Sequence, residues 1–120
     1  MIDARTQVAN LLLTVCENVN MSKPDADAVF PFISYSLQSD LPVNVAYDRL
    51  RWRIACYAIT FTELLEMCEG VMDIMTEQLG FTLTNITPDE DSHKADFYMK
   101  RLDFSGLVDK KTLGVLRGAP

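Results

Sequence analysis

At 120 residues, with 48% hydrophobic and 23% charged side chains, the chain has the length of one globular domain and the composition of a folded one. That excludes a disordered tail, a collagen-like repeat and a disulfide scaffold. The 11 Lys and Arg stand against 17 Asp and Glu, a net charge of −6, opposite in sign to a surface that grips nucleic acid over its whole extent.

The first predicted element is a helix from Ala4 to Val19, because Val8, Leu11, Leu12, Val15 and Val19 recur at spacings of three and four. Asp3 suits its N-cap. Asn20 to Asp27, with Ser22, Lys23 and Pro24, reads as a break. Pro31 to Leu37 reads as a short strand with its proline at the entry, where the missing N–H does least harm. Residues 38–46, carrying Ser39, Asp40, Pro42 and Asn44, read as a connection.

The clearest strand is Tyr47 to Ala58. Leu50, Trp52, Ile54, Cys56 and Ala58 fall on one face; Arg49, Arg51, Arg53 and Tyr57 fall on the other. Strict alternation means one buried face and one open face. Its 12 residues would span roughly 40 Å, against about 17–20 Å for an ordinary strand. A bulge must bend it, or part of the hairpin projects from the domain.

A helix follows from Phe61 to Leu79. Thr60 and Glu63 make a capping box, Ile59 and Leu64 can form the hydrophobic staple around it, and Gly80 suits the left-handed stop. Phe61, Leu64, Leu65, Cys68, Val71, Met72, Met75 and Leu79 form a broad apolar face, with Glu66, Glu69, Asp73 and Glu77 mostly opposite. The helix has no Lys or Arg, so its carboxylates lack a partner at i±4. Phe81 to Ile86 reads as a third strand, residues 87–96 as an acidic loop, and Phe97 to Val108 as a fourth strand. The order is α-β-β-α-β-β. The expected fold is an α+β two-layer sandwich, a four-stranded mainly antiparallel sheet with two helices on one face. Residues 1–120 form one domain in this reading, and residues 110–120 a flexible tail.

No reaction chemistry stands out. His93, the single histidine, sits in the hydrophilic loop without a nucleophile motif beside it. Asp89, Asp91 and His93 alternate like the first ligands of a calcium loop, but Lys94 stands where glycine is needed and Lys100 where a bidentate Glu is needed. The five glycines make no phosphate loop, and Cys16, Cys56 and Cys68 have no zinc spacing. The expectation is no enzyme, no metal and no cofactor. Three cysteines without a CxxC pair fit buried thiols in a reducing compartment. No apolar run approaches the roughly 18 residues of a membrane span, and the N-terminus does not read as a secretory signal.

Two charge patterns remain. Arg49, Arg51 and Arg53 repel one another along one strand face, so an anionic partner would relieve them. The acidic stripe of the long helix offers the complement. One subunit's arginines can meet the next subunit's carboxylates, a heterologous contact that generates a ring when its rotation closes.

The order and texture of these elements resemble the tail terminator, or tail completion, proteins of long-tailed bacteriophages and prophages. The likeness runs over residues 2–109. It lies in the N-terminal helix, in Phe30-Pro31-Phe32-Ile33-Ser34-Tyr35, and in Arg51-Trp52-Arg53-Ile54-Ala55-Cys56-Tyr57-Ala58 leading through Thr60-Phe61-Thr62-Glu63 into a helix that stops at Gly80-Phe81. It closes with the strand Met99 to Asp109. The resemblance implies a small α+β structural protein of the virion tail and neck, assembled in the host cytoplasm. It implies a ring, usually a hexamer, that caps the tail tube, ends its polymerisation and docks to the head–neck connector, with genomic DNA only as passing cargo. It supplies no catalytic residues. Arg49, Arg51, Arg53, Glu66, Asp73 and Glu77 are therefore candidates for a subunit or tube interface, and Asp89, Glu90 and Asp91 for the lumen or an adjacent ring. The alternatives are a head-closure or neck component, and a small cytoplasmic anion- or protein-binding regulatory domain.

Overall fold

A computed structural model describes residues 7–16, 18–20, 31–42, 46–91, 98–109 and 111. In chain order these form α1 (Gln7–Leu12), β1 (Val19–Asn20), β2 (Phe32–Pro42), β3 (Tyr47–Ala58), α2 (Phe61–Met72) with a π-helical continuation (Asp73–Gln78), β4 (Thr82–Asp91) and β5 (Tyr98–Asp109). The fold is α+β, as expected: β2, β3, β5 and β4 make a four-stranded antiparallel sheet, and the two helices pack on one face. The two-residue β1 is an addition. It pairs parallel to β2 at Ile33 and Ser34, so the order across the sheet is β1-β2-β3-β5-β4.

β3 is the spine. All 12 of its residues pair with β5, from Tyr47 opposite Asp109 to Ala58 opposite Tyr98, without a register break. The bulge expected of so long a strand lies instead in its neighbours. β2 shifts register between Leu37 and Ser39; β4 shifts between Leu83 and Asn85 and again between Thr87 and Glu90. Extra residues in the flanking strands let the sheet twist while the central pair stays continuous. The long hairpin sets the long dimension, 47 Å against 23 and 22 Å.

The core lies between this sheet and the helices. Leu50, Trp52, Ile54, Cys56 and Ala58 of β3 meet Leu102, Phe104 and Val108 of β5, Val8 and Leu12 of α1, and Leu64, Met67, Cys68 and Val71 of α2. The Thr60 cap and the Gly80 stop of the long helix are as predicted. Thr60 accepts a hydrogen bond from the Glu63 N–H at 3.2 Å. Gly80 has φ of 89°, and the Phe81 N–H donates at 2.8 Å to the Met75 carbonyl six residues back, one residue wider than the usual closing bond of a left-handed stop. Between them the last turns widen, so that the Leu79 N–H reaches Ile74 five residues back.

Several expectations need correction. The N-terminal helix ends at Leu12 and passes through turns, where the Thr14 hydroxyl donates to the Leu11 carbonyl at 2.6 Å. Val15 and Val19 still pack on the core, so the apolar spacing that read as helix continues through a turn and an edge strand. The connection at 38–46 is strand as far as Pro42, and the acidic loop at 87–96 is strand as far as Asp91, because β3 and β5 are long enough to pair with both. On α2 the buried stripe centres on Leu64, Cys68 and Val71 and includes Met67, while Phe61 and Leu65 lie on its flank, 46% and 39% exposed. Phe61 leans edge-on against Tyr98, ring centres 5.9 Å apart. Ile59 is 58% exposed rather than folded down as a staple. Asp3, the break at 21–27, His93 and residues 112–120 lie outside the described residues.

Candidate functional site

The alternation of β3 sends Arg49, Arg51 and Arg53 to the sheet face away from the helices. Antiparallel pairing then decides which side chains join them. Arg51 lies opposite Ser105, Arg53 opposite Asp103, and Ala55 opposite Arg101, so β5 adds a second polar row to the same face. From the other side β2 brings Ser36 opposite Arg53 and Ser34 opposite Ala55. A row of like charge on one strand thus becomes a two-dimensional surface of guanidinium, hydroxyl and amide groups.

Two depressions mark this surface. The first, about 400 Å³, is bordered by Gln38, Arg49, Arg51, Thr84, Asp103 and Ser105. The second, about 350 Å³, lies toward Ser34, Ser36, Tyr57, Met99 and Arg101, and Arg53 stands between the two. Arg53 Nε donates to Asp103 Oδ1 at 3.2 Å. That pair neutralises Arg53 and leaves Arg49 and Arg51 as the cations of the first depression that have no ion pair among the described residues. The Ser105 hydroxyl, on a residue only 9% exposed, has no hydrogen-bond partner among the described residues, and neither does Arg101 Nε. Buried polar atoms are nearly always paired, so both point to a contact that an added group would complete.

The face is not open along its whole length. Phe32, Ala55 and Tyr57 are buried on it with Met99 against them, and the Phe32 and Tyr57 rings meet edge-on at 6.1 Å. Tyr57, expected with the exposed residues, therefore anchors a second, smaller apolar cluster. Burial, with the neighbouring Cys56 adding to it, raises the Tyr57 phenol above its usual range.

The candidate carboxylates sit elsewhere. Glu66, Glu69, Asp73 and Glu77 are exposed on the side of the long helix turned away from the sheet. The sheet separates them from the arginines, so one chain does not bring the two groups together. Asp89, Glu90 and Asp91 belong to the end of β4, with Glu90 opposite Met99 and Asp91 opposite Tyr98. That is the end of the sheet remote from Arg49, which pairs with Leu107.

Asp103, Ser105, Arg101, Gln38 and Thr84 escaped the sequence reading. Arg101, Asp103 and Ser105 alternate as the three arginines do, and that alternation was the available signal. Their meeting depends on the β3–β5 register, which no local pattern prints. The arrangement can hold oxyanions by charge and directed hydrogen bonds. Among the described residues no group of three or more His, Cys, Asp or Glu could hold a metal ion. Cys16, Cys56 and Cys68 are free thiols and buried. No helix among the described residues is long and apolar enough to cross a membrane.

No protein-family profile and no curated protein matches the chain. Among solved structures, nine chains match it in fold. One comes from the virion of a native gene transfer agent particle; it shares 13% identity over 88% of this chain and 90% of that chain, with a TM-score of 0.61. This chain therefore has the fold of a polypeptide found in that virion particle.

Proposed function

We propose that the protein is a structural component of a phage-type virion, a tail terminator that caps the tail tube as an oligomeric ring. It ends tube polymerisation and presents the surface to which the head–neck connector docks. The observation that carries this reading is the likeness, along nearly the whole of both chains, to a chain of a gene transfer agent virion. The element order resembling tail completion proteins supports the finer role. Nothing in that role needs a reacting group; it needs a rigid scaffold with charged surfaces free to meet neighbours. The continuous β3–β5 pair supplies the first and the arginine face with the helix stripe the second. In a hexameric ring the acidic surplus, with Asp89, Glu90 and Asp91 toward the lumen, would let genomic DNA pass without adhering.

The test is assembly. Electron microscopy of the protein with its tail tube should show closed rings on tube ends, and adding the protein during tube growth should fix tube length. Tubes that elongate unchanged in its presence would sink the terminator role. A head-closure or neck role is the second reading, since the matching particle is a whole virion and the likeness does not single out its tail. Rings that bind the connector but not the tube would favour it.

A further inference from the structure

The arginine face and the carboxylates Glu66, Glu69 and Asp73 lie on opposite sides of one chain, so neither can serve the other within it. We propose that they meet between copies. The seat formed by Arg49, Arg51 and Ser105 of one copy takes the α2 carboxylates Glu66, Glu69 and Asp73 of a second copy. This rests on the reading of the protein as a self-assembling virion component and names the contact that joins its subunits.

The seat is built for carboxylate. Arg51 and Ser105 face each other across the β3–β5 pair and border a depression of about 400 Å³. The Ser105 hydroxyl is nine-tenths buried and has no hydrogen-bond partner among the described residues, which leaves it to donate to an incoming oxygen. A guanidinium presents a planar fork of donors that matches a carboxylate in two parallel bonds. Arg53 is already engaged by Asp103, so the charge left to satisfy belongs to Arg49 and Arg51. Nucleic-acid backbones recruit more cations than this, and the carboxylate of Asp103 lies in the same depression.

The stripe fits the seat in length and charge. Glu66, Glu69 and Asp73 lie along one exposed edge of the helix, which has no Lys or Arg of its own. Successive carboxylates are about one turn apart, ~5.4 Å. Arg49 and Arg51 are two strand residues apart, about 6.6 Å, a mismatch that arginine side chains absorb. Since the contact joins two different patches, it is heterologous: it closes into a ring if the rotation allows and runs on as a filament if not.

The experiment uses the full chain and two variants in analytical ultracentrifugation at low salt. One carries Arg49→Glu and Arg51→Glu; the other carries Glu66→Lys, Glu69→Lys and Asp73→Lys. Wild type should self-associate, and each variant alone should stay monomeric. An equimolar mixture of the two variants should assemble again, because it holds the native contact and a charge-swapped carboxylate–lysine contact in its place. Ser105→Ala, a small change that should keep the wild-type melting temperature, should weaken wild-type self-association about tenfold, the worth of a hydrogen bond to a charged group. Three outcomes overturn the inference: a wild type monomeric up to millimolar concentration, variants that assemble like wild type, or a mixture that stays monomeric. If the charge-reversed chains do not fold, Arg51→Met and Ser105→Ala decide it, and unchanged affinity in both overturns it. Failure of the ring reading looks different. A mixture that assembles while wild type runs on as open filaments keeps this contact and sinks the ring, whereas closed rings that survive charge reversal in either variant alone keep the ring and sink this contact.

Discussion

The two faces of β3 are one residue apart and live under different rules. Ile54 is fully buried against the helices, while Arg51 three residues back is exposed on the opposite face. Trp52 pairs across β5 with Phe104 in the core; the next pair along, Arg51 with Ser105, borders the anion seat. The covered face is specified by volume and apolar area, so it sets stability. The open face is specified by charge and hydrogen bonding, so it can be rich in unmet interactions without unfolding the chain. A two-layer sandwich separates the two tasks by the alternation of its strands.

The sharpest way to break that comparison is to change both sides of the same two strands. Phe104→Ala removes a ring that is 1% exposed and should cost about 3–5 kcal/mol in urea unfolding. Arg51→Ala, one rung away, should stay within about 0.5 kcal/mol, with relief of repulsion from Arg49 and Arg53 offsetting lost packing. Comparable losses in the two variants would mean that the open face also holds the fold together.

A smaller effect tests the seam between the helices. A Cβ on Gly70 would lie 2.9 Å from Val15 Cγ2 and 3.1 Å from Cγ1. Val15 belongs to the turn after α1, so at Gly70 the helix α2 packs directly on that segment. Gly70→Ala gains helix propensity of about 1 kcal/mol and loses more to overpacking, for a net cost of about 1 kcal/mol. Adding Val15→Ala should recover part of the loss, and the double variant is then better than the sum of the singles. Strictly additive costs would remove the contact from the account.

Much of the covered face was legible because its signals are local. The alternation of β3, the Thr60 cap and the Gly80 stop each lie within a few residues of what they specify. The ends of β2 and β4 were not. Ser39, Asp40 and Pro42 carry turn chemistry, and Asp89, Glu90 and Asp91 look like a solvated loop, yet Pro42 pairs opposite Asp48 and Glu90 opposite Met99. Tertiary pairing with two long strands overrides those local preferences. The same distinction divides the open face. Arg49, Arg51 and Arg53 could be read from one strand, whereas Ser105 and Asp103 join them only through a register set some 50 residues away.

The covered face should also respond to alkali. A hydrogen bond with the Cys68 thiol, reinforced by burial and by the neighbouring Cys68 and Cys16, holds the Cys56 thiol well above its usual range. The folded chain thus keeps a proton that the unfolded chain releases. The associated stability is complete below the unfolded thiol pKa of about 8.5 and is lost as pH rises from there toward the folded value. Urea midpoints measured at pH 7 and about pH 9.5 should fall with pH, and Cys56→Ala should flatten that fall. A midpoint that rises over this range would reverse the sign and refute the argument.

The smallest effect belongs to the open face. The Arg53–Asp103 pair is 3.2 Å long, but its side chains are 41% and 20% exposed, so water and salt screen it. Arg53→Met should cost no more than about 0.5 kcal/mol and less at high salt. Its larger consequence is electrostatic. Without Arg53, the Asp103 carboxylate is left uncompensated at the border of the seat, and it repels the carboxylates that Arg49 and Arg51 attract. Self-association should therefore weaken in Arg53→Met and recover in the double variant Arg53→Met with Asp103→Asn, although neither change alters stability much. Sedimentation read beside urea unfolding separates the two quantities. If association follows stability in these variants instead of charge, the open face is an extension of the scaffold and the division of labour across β3 does not hold.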